Sequence, residues 1–328
     1  MTDRPPVGVM VMAYGTASGP DDIERYYGDI RGGRAPSPEH LRELKERYGA
    51  IGNVFPLLDT TRAQAEGIVE RLNAEAGDAD AFRAYLGMKH SPPFIPDGVA
   101  RMRADGVERA VGIVMAPHWS GMSVETYVER VLQATTDDGG GPEMTFVRAY
   151  HDHPAFISFL ADRVAEALAR LTGDERANAS VIFSAHSLPV RTLEDGTLRC
   201  KTCDCDASCR YRDGLQETAD LVAARLGLDG YLIAWQSAGR TADPWWGPPV
   251  ESVIEELAAA GRDAVVVCSA GFVADHLEIL YDLDIEARGI AEGAGLRFER
   301  TRMPNADPAY LDVLAAVVRE HLAKVSTG

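Results

Sequence analysis

Short apolar runs alternate with segments of helical periodicity along almost the whole chain. The apolar runs predict eight β-strands, at Val7–Tyr14, Ala81–Gly87, Ala110–Ala116, Met144–Tyr150, Ala179–Ser184, Tyr231–Trp235, Ala264–Ser269 and Leu296–Arg300. The segments between them predict α-helices, at Pro20–Ile30, Pro38–Tyr48, Thr60–Glu75, Pro96–Asp105, Val124–Ala134, Pro154–Leu171, Gly214–Leu226, Val250–Ala260 and Pro308–Val325. Strand–helix alternation is typical of parallel sheets covered by helices on both faces. The chain is therefore predicted to be an α/β protein.

The strands fit two parallel sheets of about four strands each, and 328 residues are enough for about two domains. The break is expected near His151–Pro154. This predicts an N-terminal domain at residues 1–152 and a C-terminal domain at residues 153–307, with a cysteine-rich insert at residues 197–212. Residues 308–328 are expected to form a helix that packs back on the first domain.

The composition excludes several classes of function. Hydrophobic residues make up 46% of the chain, enough for a sizeable core, and the net charge of −17 argues against a nucleic-acid partner. The N-terminus lacks the basic and apolar pattern of a signal peptide, and no run reaches the ~18 apolar residues of a membrane span. We therefore predict a cytoplasmic protein with no integral membrane segment.

A row of acidic residues follows the seventh predicted strand. Glu278, Asp282 and Glu286 lie four apart, so a regular helix would place the three carboxylates on one face. Such a row is repulsive unless a cation offsets it, and His276 adds an imidazole nitrogen nearby. Oxygen ligands with imidazole suit a divalent metal, although a solvated acidic face explains the same pattern. The position favours the metal, because ligands of open α/β sheets bind beyond the carboxyl ends of strands.

Three histidines follow predicted strands. His186 ends the strand in Phe183–Pro189, and this placement makes a functional role about as well supported as a structural one. His118 and His90 follow other strands, and for these two a structural or binding role is favoured over catalysis.

Aromatic and basic residues offer further candidates. Tyr14 closes the first strand, either in a tight turn at an interface or as a phenol that faces a metal. Arg31 and Arg47 lie beside tyrosines, in a pattern that fits a solvated helix or, better, a flat anionic ligand, because guanidinium groups bind carboxylates bidentately. Three tryptophans at residues 234–247 suit the wall of an aromatic pocket or a packed hinge.

The most clustered motif is a row of four cysteines, Cys200, Cys203, Cys205 and Cys209, with the spacing C-x2-C-x-C-x3-C. Four soft sulfur ligands in ten residues indicate a bound metal. Structural zinc prefers two C-x2-C pairs on separate loops, whereas four thiolates suit [2Fe–2S] or [4Fe–4S]. Cys268, near the end of a strand, is expected to be a buried core thiol.

Several ordered motifs resemble the ferrochelatase family and together span nearly the whole chain. They are Met12–Thr16, Phe183–Pro189, Trp235–Ser237, Asp243–Pro248, Gly271–Glu278 and Arg302–Asn305. The chain is most similar to the soluble Gram-positive form, whose members insert ferrous iron into coproporphyrin III. The resemblance implies a class II chelatase-like fold. In that fold two Rossmann-like domains, each a parallel four-stranded sheet flanked by helices, enclose a porphyrin cleft.

The resemblance also implies roles for single residues. His186 and Glu278 would be the facing catalytic pair and would contact the metal. The other implied positions are substrate-binding residues Tyr14, Arg31, Arg47, Ser123 and Tyr127, and an outer cation site, for Mg²⁺, at Asp282 and Glu286. Phe55 departs from the family pattern, because relatives have a small hydroxyl residue before Pro-Leu at this position.

Some members of the family carry a [2Fe–2S] cluster on an internal cysteine-rich insert, so the resemblance implies this cluster on the four loop cysteines. Fe²⁺ and the porphyrin are then substrates, and neighbouring enzymes of heme synthesis are the expected protein partners. The alternatives are a protoporphyrin IX ferrochelatase, a chelatase for another tetrapyrrole, and an iron–sulfur redox sensor. The sensor hypothesis leaves the motifs around His186 and Glu278 unexplained.

Overall fold

The structure is a computed structural model that describes residues 5–137, 140–202, 209–239 and 241–326. Two of the predicted cluster ligands, Cys203 and Cys205, lie outside the described residues.

The N-terminal half forms a parallel four-stranded sheet in the order β2-β1-β3-β4. Its strands are β1 (Val7–Ala13), β2 (Phe82–Met88), β3 (Arg109–Val114) and β4 (Glu143–Val147). The helices of this half are α1 (Ile23–Ile30), α2 (Pro38–Ala50), α3 (Leu57–Ala76), α4 (Ile95–Ala104) and α5 (Val124–Thr136). β1 is central and pairs Val9 with both Ala84 and Val111, which explains why it is apolar on both faces.

The C-terminal half forms a second parallel sheet in the order β10-β9-β5-β8. Its strands are β5 (Ala179–His186), β8 (Leu232–Gln236), β9 (Ala264–Cys268) and β10 (Arg297–Arg300). Its helices are α6 (Pro154–Ala169), α7 (Gly173–Ala177), α8 (Arg210–Leu226), α9 (Val250–Ala259), α10 (Leu277–Leu280) and α11 (Arg288–Gly293), with a π-helix at Asp282–Ala287 between the last two. A short antiparallel hairpin, β6 (Val190–Thr192) with β7 (Leu198–Cys200), leads into the cysteine loop and was not predicted from the sequence.

Both halves contribute to one apolar core. Val9 and Val11 of the first sheet and Phe183 of the second belong to the same cluster of buried side chains. The last helix, α12 (Pro308–Ser326), packs on α3, where Gly67 leaves space for Leu311, since a Cβ at Gly67 would lie 2.5 Å from a Leu311 methyl group. The division of the chain at residues 152 and 153 stays a prediction.

The order of strands defines where a ligand would bind. In each sheet the chain leaves a central strand, β1 or β5, toward one side and later returns to the other. The carboxyl end of such a strand is a topological switch point, where open α/β sheets bind ligands. Tyr14 and His186 stand at these two points. None of the described helices is long and apolar enough to cross a membrane.

Candidate active site

His186 and Glu278 face each other beyond the carboxyl ends of the second sheet. His186 is the last residue of β5, and its Nε2 atom lies 3.6 Å from a carboxylate oxygen of Glu278. The segment before Glu278 lies close to β5 at Gly271, where any side chain would collide with Ala185, since a Cβ there would lie 2.5 Å from Ala185 Cβ. Both side chains are about one-third exposed, so the pair is supported by packing and still open to a ligand.

The pair is electrostatically coupled. Burial would lower the pKa of His186, but the charge and hydrogen bond of Glu278 outweigh this and raise it. Burial would raise the pKa of Glu278, yet His186 and His276 hold it at about 2. The coupling favours an imidazolium–carboxylate pair when the cleft is empty, which stores a proton next to a carboxylate base.

The acidic row does not lie on a regular α-helix, so the sequence prediction was wrong on this point. α10 ends at Leu280, and the backbone N–H of Glu286 donates to the carbonyl of Tyr281, five residues earlier. This wider π-turn is the element that carries Asp282 and Glu286. π-turns are rare and frequently occur at functional sites.

Arg47 joins a predicted substrate-binding position to the acidic row, although the two are far apart in the sequence. One of its guanidinium nitrogens lies 2.6 Å from Asp282 and 3.3 Å from Glu286. The guanidinium carbon also lies 4.4 Å from the centre of the Tyr281 ring. A residue expected to bind a substrate carboxylate therefore binds the protein's own carboxylates.

Asp282 is the buried member of the acidic row, with a relative exposure of 2%. Burial raises the pKa of its carboxyl group to about 7, against the lowering effect of Arg47, and the Glu278 charge adds to the increase. The hydroxyl of Ser237 donates to its second oxygen. Asp282 can therefore exchange a proton near neutral pH, between Glu278 and the more exposed Glu286.

Gln236 connects the elements of this wall by hydrogen bonds, a role that was not predicted from the sequence. It is buried, its amide nitrogen donates to the carbonyl of Glu278, and its amide oxygen accepts from the hydroxyls of Ser184 and Ser269. One side chain thus connects β5, β8 and the residue that follows β9 to the helix that carries Glu278. The only signal in the sequence was its place within the family motif.

His276 is not positioned as a free metal ligand. Its Nδ1 atom accepts a 3.1 Å hydrogen bond from the backbone N–H of Glu278 and caps α10. Burial lowers its pKa, and the ring packs on Phe272. His276 therefore starts the helix that presents Glu278.

The opposite wall is built around Tyr14. The residue is 44% exposed, and its ring lies 4.6 Å from that of His90. Desolvation is the main cause that raises the pKa of its phenol, followed by the charge of Glu278. His90 is buried, and its Nδ1 atom is hydrogen-bonded to Asp29 at 2.7 Å. His90 thus supports Tyr14 from behind, as its predicted structural or binding role implies.

The other predicted substrate-binding residues differ in their exposure. Arg31 ends α1, and its Nε atom is buried without a hydrogen-bond partner among the described residues. Ser123 begins α5 and is half-buried, whereas Tyr127 is buried in the core beneath Lys89, whose ammonium lies 5.1 Å from the ring centre. Phe55 stacks on Tyr48 at 4.6 Å and so serves packing.

His118 lies in the core rather than at the cleft. It is buried and its Nε2 atom is hydrogen-bonded to Thr218 at 3.0 Å. Burial lowers its pKa to about 3, so the imidazole is neutral. Of the three tryptophans in the loop, Trp235 and Trp246 are buried and stacked, while Trp245 lies 6.4 Å from the ring of His186. The loop thus supplies both packing and one candidate wall residue.

The two described cysteines of the loop meet in space. Cys200, at the end of β7, and Cys209, at the start of α8, are buried with their sulfur atoms 3.0 Å apart. Their mutual hydrogen bond raises the pKa of Cys200 and lowers that of Cys209 to about 6, so one thiolate is favoured next to one thiol. Cys268 is a buried thiol in β9, as expected.

Solved structures with the same fold include a sirohydrochlorin chelatase, SirB. The structure matches SirB from Bacillus subtilis, described with Fe³⁺, with a TM-score of 0.59 at 8% identity, covering 98% of both chains. It matches CbiX, described as the terminal enzyme of siroheme biosynthesis in denitrifying bacteria, with a TM-score of 0.52 at 11% identity, covering 95% of this chain and 98% of the other. At these identities the likeness shows the fold, and the predicted class II chelatase-like architecture is confirmed.

Relatives by sequence are much closer. A family model described as Ferrochelatase matches residues 6–322. The coproporphyrin III ferrochelatase of Anoxybacillus flavithermus is 46% identical over 97% of this chain and 97% of its own length. The coproporphyrin III ferrochelatase of Bacillus subtilis is 44% identical over 98% of this chain and 99% of its own length. The chain therefore belongs to the ferrochelatase family.

Proposed function

We propose that this protein inserts ferrous iron into coproporphyrin III. The observation that carries the proposal is the facing pair of His186 Nε2 and Glu278, 3.6 Å apart beyond the switch point of the second sheet. The names of relatives that are 40–46% identical over nearly the whole chain support the substrate. A cleft with a titratable pair on one wall and a phenol on the other fits insertion of a metal into a planar macrocycle that is held between the two walls.

Metal insertion replaces two pyrrole N–H protons with one Fe²⁺, so two protons leave the macrocycle for each iron that enters. Glu278 is ionised over the working pH range and can accept a proton or contact the iron. His186, once neutral, can do the same with its Nε2 atom. Asp282, whose pKa is about 7, is suited to carry protons onward to Glu286 at the surface.

The outer acidic site is proposed for a divalent cation such as Mg²⁺. Asp282 and Glu286 supply carboxylate oxygens, the ligands that hard divalent cations prefer. Arg47 already neutralises these oxygens, so a cation has to compete with its guanidinium. A cation bound there would free Arg47 for a substrate carboxylate. This links the predicted substrate residue to the predicted cation site.

We propose Arg31, Arg47, Ser123 and Tyr14 as residues that contact the substrate, and Tyr127, which is buried beneath Lys89, as a residue that supports the site from the core. Arg31 supports this, because its buried Nε atom lacks a partner among the described residues. Coproporphyrin III carries four carboxylates where protoporphyrin IX carries two, and each charge-assisted hydrogen bond contributes roughly 1.5–3 kcal/mol when desolvated. A cleft with several guanidinium groups therefore favours coproporphyrin III.

The cysteine loop is proposed to hold a [2Fe–2S] cluster. Cys200 and Cys209 come from the two ends of the loop, and their sulfurs are close enough to bind one metal centre. Two thiolates on one tetrahedral metal lie about 3.8 Å apart at a metal–sulfur distance of ~2.3 Å. The observed 3.0 Å between the two sulfurs would therefore need to increase only slightly for both to bind one metal. Cys203 and Cys205 would complete the four ligands. When bound, the cluster would cross-link the loop and could exchange one electron.

A substrate comparison tests the proposed function. Purified protein is mixed anaerobically with Fe²⁺ and, in turn, coproporphyrin III, protoporphyrin IX and sirohydrochlorin, and kcat/KM is measured for each. The proposal predicts that coproporphyrin III is preferred at least ~10-fold, since one additional well-desolvated carboxylate contact contributes about that factor. A preference for either other tetrapyrrole would overturn the substrate assignment. A cytoplasmic location and contacts with neighbouring enzymes of heme synthesis remain predictions.

A further inference from the structure

Tyr211 connects the cysteine loop to His186. It lies in the first turn of α8, two residues after Cys209. Its side chain is buried, and its hydroxyl donates a 2.9 Å hydrogen bond to the backbone carbonyl of His186. The peptide that follows the candidate catalytic histidine is therefore held by a helix that begins at a predicted cluster ligand.

The chain immediately after His186 is fixed from several directions. The backbone N–H of Ser187 donates to the carbonyl of Gln236 at 2.7 Å, and its hydroxyl donates to the carbonyl of Trp246 at 2.8 Å. The N–H of Trp246 returns a bond to the carbonyl of Leu188. Each of these bonds joins the turn to the C-terminal sheet or to the tryptophan loop. Tyr211 adds the connection to α8.

The cysteine loop also contacts the turn after His186 through its N-terminal end, at Cys200. Val190, four residues after His186, pairs with Cys200 in the β6–β7 hairpin. The N–H of Lys201 donates to the carbonyl of Pro189 at 2.8 Å. Both ends of the loop thus reach the His186 turn, one through Cys200 and the other through Cys209 and Tyr211.

Aromatic packing makes this region one unit. The Tyr211 ring lies 5.6 Å from that of Trp235, which lies 6.0 Å from that of Trp246. All three residues belong to the same buried cluster as Cys200 and Cys209. A change in how the loop is held is therefore transmitted to the position of the Tyr211 hydroxyl, because close-packed side chains move together.

We propose that Tyr211 is a positioning residue for His186, through which the cysteine loop controls metal insertion. Its hydroxyl fixes the carbonyl of His186 and so holds the imidazole opposite Glu278. Metal bound through Cys200 and Cys209 would fix the first turn of α8 and with it Tyr211. Loss of such a metal would loosen this turn and displace His186 from Glu278. This inference rests on the proposed function of His186 in metal insertion.

A simpler explanation is that a buried hydroxyl only needs an acceptor, and the carbonyl of His186 is the one within reach. The two explanations differ in what removal of the hydroxyl changes. If the hydroxyl only needs a hydrogen-bond acceptor, its removal changes stability alone. If it positions His186, its removal lowers kcat even in the folded protein. The test therefore needs a second buried tyrosine whose hydroxyl bond is remote from the site.

Tyr150 supplies this control, because its hydroxyl is buried and bonded to that of Tyr310 at 3.0 Å in the core beside α12. Tyr211→Phe and Tyr150→Phe are compared with the wild type for kcat, KM for coproporphyrin III, thermal stability, and iron and acid-labile sulfide content. The proposal predicts that Tyr211→Phe lowers kcat roughly three- to tenfold, the range expected for one lost hydrogen bond. KM and metal content stay within about twofold, and Tyr150→Phe keeps the wild-type kcat.

Equal kcat values for Tyr211→Phe and the wild type would overturn the positioning role, as would an equal loss in Tyr150→Phe. Combining Tyr211→Phe with Cys200→Ser tests the connection to the loop. The proposal predicts that Cys200→Ser lowers kcat in the wild type but adds less than about twofold in Tyr211→Phe. Fully multiplicative effects would overturn control by the loop. A wild type that inserts no iron would overturn the proposed function and this inference together, whereas an active wild type isolates the inference.

Discussion

Arg47 and Asp282 are separated by 235 positions in sequence, and their side chains are joined by a 2.6 Å ion pair. Arg47 comes from α2 beside the first sheet, and Asp282 from the π-helix beside the second. Asp282 is buried, so removal of Arg47 would leave its carboxylate unpaired in the protein interior. The pair thus connects the two walls of the cleft and occupies the site proposed for an outer cation.

Arg47→Ala is predicted to raise KM for coproporphyrin III roughly tenfold or more, because one charge-assisted contact to a carboxylate is lost. Arg42→Ala is the matched control, since Arg42 lies on the same helix and its ion pair, at 3.7 Å, is with the exposed Glu46. Steady-state kinetics with increasing porphyrin decide the matter. Equal KM values in the two variants would remove Arg47 from the substrate site.

The acidic row is predicted to act in order of its distance from His186. Glu278→Gln removes the carboxylate that faces the imidazole, so kcat is expected to fall about 10²–10⁴-fold, the usual contribution of a general acid–base group. Glu286→Gln, at the exposed end, is expected to lower kcat less than about tenfold, with Asp282→Asn between them. Equal losses in the three variants would contradict a directional path for protons.

Cys200→Ser is predicted to destabilise the protein and to remove iron and sulfide from it. The loop between Cys200 and Cys209 has few apolar residues to fold around, so a metal is expected to supply much of its order. Cys268→Ser is the control, because this thiol is equally buried but lies in β9. Two irons and two sulfides per chain in the wild type and in Cys268→Ser support [2Fe–2S]. Stoichiometric zinc without sulfide would contradict the cluster.

His118 is predicted to make stability depend on pH. Its pKa in the folded protein is lowered to about 3, by burial first and then by His151, while an unfolded histidine titrates near ~6.5. Between these values the unfolded state binds a proton that the folded state does not. The free energy of unfolding therefore falls as the pH decreases below about 6.5, by up to ~1.4 kcal/mol per unit.

The substitution His118→Gln tests this, since its amide can still donate to Thr218 without titrating. Chemical denaturation of both proteins is measured at pH 7 and pH 5. The stability advantage of the wild type over the variant is expected to shrink by about 2 kcal/mol between the two values. An advantage that is the same at both pH values would show that His118 does not carry the effect.

The sequence predicted regular elements well because their signal is local. β1 was expected at Val7–Tyr14 and is observed at Val7–Ala13, and the strand that ends at His186 was recognised from its apolar run. Placement of His186 beyond a strand then followed from the general behaviour of parallel sheets. The catalytic candidates could be predicted from the sequence because they combine a position at a strand end with family motifs.

The π-helix and the role of Gln236 could not be predicted from the sequence, for different reasons. Acids four apart occur in α-helices and π-helices alike, so this spacing does not predict the five-residue hydrogen bond from Glu286 to Tyr281. Gln236 acts through three hydrogen bonds to residues between 33 and 52 positions away, which periodicity cannot indicate. The ion pair of Arg47 is of the same kind.

The proposed function is tested most directly by anaerobic insertion of Fe²⁺ into coproporphyrin III by the wild type and by His186→Ala. His321→Ala, in the remote helix α12, serves as the histidine control. We expect rapid formation of the iron porphyrin by the wild type and the control. For His186→Ala we expect a loss of at least ~10²-fold in kcat, with thermal stability unchanged within a few degrees, because His186 is a partly exposed strand-end residue. Turnover by His186→Ala at the wild-type rate would contradict the proposal that the His186–Glu278 pair performs the reaction.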